Sequence, residues 1–135
     1  MKKTLFALLS LVALFSARCT KDADTTQILV RFQNTLSQDI TDARLEFDDV
    51  HKTDIGLIPA GSVTDYIAFD YFQTGDSWPM GILKGEKNGE PFSAFSGFWC
   101  GTGVVYKQLE AGYHTVAIIQ VGADSTAYYQ LKFIE

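Results

Sequence analysis

The sequence predicts an all-β protein, an antiparallel two-sheet β-sandwich that follows an N-terminal signal peptide. Three observations predict it. Apolar and polar residues alternate over many short segments, as they do in strands with one buried face. Turn-forming residues recur about every 8 to 12 positions, the spacing typical of a sandwich. Beyond the amino terminus, no stretch of about ten residues keeps the periodicity of a helix. The 135 residues, 47% hydrophobic and 20% charged, are typical of one folded domain.

A repeated turn supports this fold class. Residues 109–121 (LEAGYHTVAIIQV) are echoed by residues 58–67 (IPAGSVTDYI), with Ala-Gly preceded by an aliphatic residue in both copies. Thr follows three positions after each Gly, and Ile follows six positions after it. Glycine accepts the positive φ that lets a chain turn over the end of a sheet. Two turn-then-strand units favour two packed layers of strands.

The amino terminus reads as an export signal. Lys2 and Lys3 precede a mostly apolar run at residues 5–17, which is too short to cross about 30 Å of hydrocarbon. The run ends in Phe15-Ser16-Ala17-Arg18-Cys19, which resembles a bacterial lipoprotein signal. The resemblance implies a lipoprotein signal peptide over residues 1–18 and acylation of Cys19. Two alternatives stay open: a soluble secreted product cleaved after Cys19, and an uncleaved anchor.

The region after the signal divides into a tether and a domain. Residues 19–26 form the lipidated Cys and a short polar tether (TKDADTT after Cys19), and residues 27–135 form the sandwich. Without Lys2, Lys3 and Arg18, 8 basic residues remain against the 16 acidic ones. This acidic balance makes nucleic acid and anionic lipid headgroups poor partners.

The first two predicted strands are the most regular. Residues 26–33 and 40–48 each alternate between one apolar and one polar face. Strands with one solvent-exposed face favour antiparallel sheets. The residues predicted to point inward are Ile28, Val30 and Phe32 in the first strand, and Ala43, Leu45 and Phe47 in the second.

The middle of the chain predicts a polar loop at residues 48–54, a brief strand at 55–58 and a long aromatic strand at 63–72. Residues 79–84 predict a weak strand at a sheet edge, because Pro79 has no backbone N–H to donate to a neighbouring strand. Asn88-Gly89 then predicts a type I′ hairpin turn in which both residues have positive φ.

Residues 80–86 should therefore pair with residues 90–98. The final predicted hairpin joins residues 113–121 to 126–134 across a polar turn. Its last strand alternates with Leu131 and Phe133 inward, and we expect these two side chains to share one core with Phe32 and Leu45.

The late turn carries a second resemblance. Leu109-x-Ala-Gly-Tyr113, followed by Val116, is similar to the segment before a late strand in immunoglobulin-like and fibronectin-III-like domains. In those domains a Leu-x-Pro-Gly turn precedes a strand with a Tyr near its start. The signal, the acidic tether and the paired Ala-Gly turns also resemble small envelope lipoproteins of Gram-negative bacteria. The resemblance implies an immunoglobulin-like sandwich and no particular activity.

The candidate chemical groups give no catalytic constellation. The acidic loop with Asp48, Asp49, His51 and Asp54 fits no known calcium spacing, so we expect a solvated loop and no metal. His114 has no nucleophile at a recognised spacing, and residues 101–103 (GTG) lack the rest of a phosphate loop. Cys100, between apolar neighbours, predicts a small buried thiol.

Aromatic side chains are the best binding candidates. They are concentrated in the middle third, and more are present than a core of this size absorbs. The predicted ligand-binding residues are Trp78, Trp99, Tyr71 and Phe72. Trp78, between Ser77 and Pro79, is the best candidate for an exposed ring.

Together these observations predict a non-enzymatic, lipid-anchored module of the bacterial envelope with no cofactor. Its expected partners are a membrane, through the anchor, and an envelope protein or glycan. The expected location is the outer membrane, where the chain would be a lipoprotein, and the alternative is a secreted or periplasmic protein. Two other functions remain: a secreted subunit that pairs by strand addition through the edge at residues 79–84, and a hydrolase-type enzyme with dispersed carboxylates.

Overall fold

The computed structural model describes residues 25–96 and 105–135, and these residues are all-β as predicted. They form ten strands, with one turn of 3₁₀ helix at Asp124–Thr126. The strands are β1 (Ile28–Asn34), β2 (Ile40–Glu46), β3 (Lys52–Ile58), β4 (Ile67–Phe69), β5 (Gln73–Thr74), β6 (Ile82–Lys87), β7 (Glu90–Phe95), β8 (Lys107–Gln108), β9 (Gly112–Val121) and β10 (Tyr128–Ile134).

The sheet arrangement differs from the predicted antiparallel two-sheet sandwich. Eight strands join one mixed sheet in the order β3-β2-β6-β7-β10-β9-β1-β4, and β5 and β8 form a separate pair. Strand β1 pairs with β9 in parallel, and β7 pairs with β10 in parallel. These two parallel contacts merge what would be separate sheets into one, which curls around a single core and is nearly barrel-like.

The predicted inward faces are confirmed. Ile28, Val30 and Phe32 of β1 are buried, as the alternation in this strand requires. Leu45 and Leu131 are fully buried in the same hydrophobic cluster, and Phe133 packs against it from a half-buried position. The expected shared core therefore exists, inside one curled sheet rather than between two.

The hairpin prediction at Asn88-Gly89 is also confirmed. Strands β6 and β7 pair in register from Ile82–Phe95 to Lys87–Glu90, which leaves only these two residues in the turn. Asn88 has φ 54° and Gly89 has φ 76°. Both values lie in the left-handed region that a type I′ turn needs.

The two Ala-Gly turns flank the same strand. Gly61 has φ 63° and Gly112 has φ 141°. After the first turn, the Asn34 amide donates to the Ser62 carbonyl (2.9 Å), and the chain then runs along one edge of β1 as far as β4. The Gly112 amide donates to the Gln27 carbonyl (2.9 Å), and β9 pairs with the other edge. The sequence echo thus marks the two neighbours of β1.

The predicted edge at residues 79–84 is wrong. The strand there begins at Ile82 and is an interior strand, paired with β2 on one side and β7 on the other. Glycine makes the first contact possible, because a Cβ on Gly85 would lie 2.7 Å from the Thr41 carbonyl oxygen. Among the described residues, the edge strands of the eight-stranded sheet are instead β3 and β4.

The long aromatic strand expected over residues 63–72 is also shorter in the structure. Only Ile67–Phe69 forms β4, and Val63 makes an isolated bridge to Gln33. An unbroken register from that bridge would pair Val30 with residue 66, yet its partner is Ile67, so the edge contains a bulge. Strand β3 has register shifts against β2 as well. Bulges of this kind disfavour the addition of another strand.

Candidate functional site

The candidate site is a cleft of about 660 Å³ at one end of the curled sheet. Its walls are the loop at residues 75–78, strand β8, the beginning of β9 and the end of β10. Ligand sites in proteins commonly enclose roughly 300–1,000 Å³ and combine apolar walls with a few polar groups. The side chains that matter most here are Trp78, Lys107, Tyr113, His114 and Phe133.

Main-chain hydrogen bonds hold the loop that carries Trp78. The Gly75 amide and the Thr74 hydroxyl both donate to the Trp78 carbonyl, each at 2.9 Å. The Met80 amide donates to the Gln73 carbonyl at 3.0 Å, which closes the base of the loop. The loop geometry therefore depends on the backbone of Trp78, while its half-buried indole lines the cleft.

The pairing of β5 with β8 brings the second wall to this loop. Gln73 pairs with Gln108 and Thr74 with Lys107. Just beyond, the Leu109 amide donates to the Phe72 carbonyl at 2.8 Å. These bonds connect segments that are more than 30 positions apart in the chain, as the residue numbers show.

The third wall begins at the second Ala-Gly turn. The His114 Nε2 lies 2.9 Å from the Glu110 carbonyl oxygen. A carbonyl only accepts, so Nε2 is the protonated nitrogen in this contact. The His114 ring is 6.3 Å from the Phe133 ring, and Tyr113 packs edge-on against Tyr66 at 5.0 Å. Each of the two rings is thus held by a neighbouring aromatic side chain.

Charges of both signs surround the cleft. The Lys107 ammonium lies 3.2 Å from a carboxylate oxygen of Asp76, and both side chains are exposed. Lys132, Glu110 and Glu135 complete the charged lining. The cleft therefore offers donors and acceptors without a strong field of one sign.

Of the three predicted aromatic residues that lie within the described ranges, the structure places one in this cleft. Trp78 lines it. Tyr71 lies elsewhere, half-buried and stacked on His51 with ring centroids 3.9 Å apart. Phe72 is fully buried in the core, so its assignment to an exposed ligand-binding patch is corrected. Trp99 lies outside the described residues, as do the lipidation candidate Cys19 and the thiol Cys100.

The sequence interpretation missed most of the cleft. Tyr113, Lys107 and Phe133 were not candidates, and His114 was considered only as a base without a nucleophile. One sequence signal pointed here, since Tyr113 and His114 directly follow the repeated Ala-Gly turn. Nothing local predicts that the turn faces the Trp78 loop, because the β5–β8 pairing that joins them is long-range.

The predicted loop at residues 48–54 is shorter in the structure, because strand β3 already begins at Lys52 rather than at residue 55, and only the residues before it form a compact turn. One carboxylate oxygen of Asp48 accepts the Val50 and His51 amides at 2.8 and 2.7 Å. The other lies 2.7 Å from His51 Nδ1. The side-chain bond from His51, followed by its backbone bond, lowers the pKa of Asp48 to about 2. Within residues 25–96 and 105–135, no three potential metal ligands lie close enough to hold an ion.

This turn predicts a pH effect. Because folding lowers the pKa of Asp48 to about 2, its contribution is complete above the ordinary value of 3.8 and is lost as the pH falls through about 2. Asp48→Asn should lower the urea midpoint near neutral pH, and the difference from wild type should shrink from pH 4 to pH 2. The control is Asp49→Asn, the exposed neighbour. A difference that stays constant down to pH 2 would contradict the assignment.

A second concave surface lies where β7 and β10 diverge. These strands pair over only two residue pairs, Tyr129–Ala94 and Gln130–Phe95. The wedge beside them encloses about 580 Å³. Tyr128, which is 40% exposed, stacks on Phe95 there. Because this exposed ring lies outside the Trp78 cleft, it provides a matched control for experiments on the cleft.

Comparison with known proteins supports the fold alone. No family model matches the chain, and no curated protein matches it. A protein from Eubacterium rectale solved by NMR has a similar structure, with a TM-score of 0.50 and 14% sequence identity over 82% of this chain and 90% of that one. In the part of the chain that the structure describes, no helix has the length and apolarity needed to cross a membrane.

Proposed function

We propose that the chain is a lipid-anchored binding module of the bacterial cell envelope, and that it is not an enzyme. The observation that carries the binding role is the Trp78 cleft. It has the size of a ligand site, and two of its aromatic lining residues, Tyr113 and His114, pack against Tyr66 and Phe133. The motif around Cys19 supports the anchor and an outer-membrane location.

The contacts within the cleft favour binding over proton transfer. Asp76 is engaged by Lys107, and His114 Nε2 is engaged by a main-chain carbonyl. A general base has to reach the proton that it removes, and here the carboxylate is paired with an ammonium group and the ring nitrogen is bonded to a carbonyl. Polar groups held in this way orient a ligand without reacting with it.

Binding at the cleft is tested by NMR on the full-length chain in dodecylphosphocholine micelles. Titration with the polysaccharide fraction or the protein fraction of a bacterial envelope extract should shift the Trp78 indole N–H signal. Trp78→Ala should abolish the accompanying shifts in β9, because the wall that meets the ligand is lost. Tyr128→Ala should leave them intact, since Tyr128 lines the other wedge. If neither fraction shifts these signals, the binding role is wrong.

The anchor predicts a change of location. Cys19→Ser should move the protein from the membrane fraction to the soluble fraction, because acylation needs the thiol. Stable attachment requires two or more acyl chains, since one chain holds only marginally. Intact mass measurement checks this: a species that begins at Cys19 with added acyl mass is expected. An unmodified species that begins at Thr20 would contradict the anchor.

A further inference from the structure

We propose that the Trp78 cleft binds a neutral oligosaccharide, with one sugar ring stacked against its aromatic wall. This inference rests on the proposed binding function and adds the chemical class of the ligand. It depends on three features of the cleft: its aromatic surface, its mixture of donors and acceptors, and its balance of charge.

The aromatic surface suits the apolar face of a pyranose ring. Such a ring presents C–H groups on its faces and hydroxyl groups around its rim. Trp78 and Tyr113 line the cleft, and both residue types combine a broad apolar body with a polar end. The Tyr113 ring also packs edge-on against Tyr66, at 5.0 Å between ring centroids. A wall that is already ordered loses little side-chain entropy when a ligand arrives.

The polar groups match the rim of a sugar. Each hydroxyl both donates and accepts hydrogen bonds, so a saccharide site needs both kinds of partner. Lys107 and Lys132 donate, the carboxylates of Asp76 and Glu110 accept, and Gln108 has both functions. A purely apolar ligand would offer these groups no hydrogen bond and would separate those that it covers from water.

The charge balance disfavours an anionic ligand. Two lysines line the cleft against the three carboxylates of Asp76, Glu110 and Glu135, and one of the lysines is already paired with Asp76. The whole chain has a formal net charge of −5. Phosphate, sulfate and uronate groups would meet a slight excess of carboxylates in the lining, whereas a neutral polyol would not be repelled. The observations therefore favour uncharged sugars over phosphorylated or acidic ones.

The experiment titrates the full-length chain in dodecylphosphocholine micelles with cello-, malto-, manno- and N-acetylchito-tetraose. At least one is expected to shift the Trp78 indole N–H signal with saturation. Trp78→Ala should weaken that binding at least tenfold, and Trp78→Phe, which keeps a ring, should weaken it less. Trigalacturonic acid, which is acidic, should bind at least tenfold more weakly than the best neutral sugar.

Two further variants are measured, one as a control outside the cleft and one as a second change within it. Tyr128→Ala should bind like wild type, because its ring lies in the other wedge. Tyr113→Ala should also weaken binding, and it leaves the loop that carries Trp78 unchanged, so it tests the site if the tryptophan variant proves unstable. Equal binding by wild type and both cleft variants would overturn the site.

The titration distinguishes an error in the ligand class from an error in the proposed binding function. If no neutral tetrasaccharide binds but the protein fraction of the envelope still shifts the Trp78 signal, the saccharide inference is wrong and the binding module remains. If trigalacturonic acid binds best, the charge argument is wrong. If nothing shifts the signal, both the inference and the proposed function are overturned.

Discussion

Leu131→Ala should lower the free energy of unfolding by about 2–5 kcal/mol, the usual cost of emptying a leucine site in a core. Leu131 is fully buried, and its strand β10 lies between β7 and β9 in the sheet. It pairs with Ile118 of β9, which is fully buried as well. Strand β9 is paired with Leu131 itself and β7 with the residue just before it, so the site cannot collapse easily around the lost side chain.

The measurement is urea denaturation of the purified chain. Lys132→Ala is the matched control, because this neighbour in β10 is exposed and a surface change typically alters stability by less than about 0.5 kcal/mol. If Leu131→Ala costs no more than the control, β10 does not contribute to the core as described.

Asn34→Ala should also be strongly destabilising, by about 2–5 kcal/mol if two buried main-chain groups lose their partners. Asn34 is fully buried at the end of β1. Its Oδ1 accepts the Leu36 amide at 3.0 Å, and its Nδ2 donates to the Gln38 and Ile58 carbonyls at 2.9 and 3.1 Å. One side chain thus connects β1, the turn before β2 and the end of β3.

Gln38→Ala is the control for this network. Asn34 bonds the main-chain carbonyl of Gln38, so removal of the Gln38 side chain leaves all three hydrogen bonds in place. We expect this control to stay within about 1 kcal/mol of wild type. Equal losses in Asn34→Ala and Gln38→Ala would show that the network adds little, and urea denaturation of the two variants distinguishes these outcomes.

The sequence by itself determined the features that depend on near neighbours. Alternation in residues 26–33 predicted the inward face of β1, because successive side chains of a strand point to opposite sides. Asn88-Gly89 predicted its hairpin, since few other residue pairs accept two positive φ values. The Ala-Gly repeat marked two real turns. Each of these inferences needs only a few consecutive residues.

Where the pattern was ambiguous, packing decided. Residues 63–72 carry apolar groups on both faces, so periodicity alone left open which rings are buried. In the structure Phe72 lies in the core, with Phe47 and Phe69 edge-on at 4.9 and 5.2 Å. Tyr71, the next residue back, stacks on His51 outside the core cluster. The same stretch thus supplies two core rings, Phe69 and Phe72, and a half-buried ring outside the core cluster, Tyr71.

Only the tertiary structure decided how the strands join and where the cleft lies. The parallel pairs β1–β9 and β7–β10 bring together distant segments, and they replace two antiparallel sheets with one curled sheet. The cleft is lined by both Trp78 and Tyr113, and the pairing of β5 with β8 connects the two segments that carry its walls. Local propensity and periodicity report on a residue and its near neighbours in the chain. The pairing of distant strands is chosen by the free energy of the whole packed core, which no short segment contains.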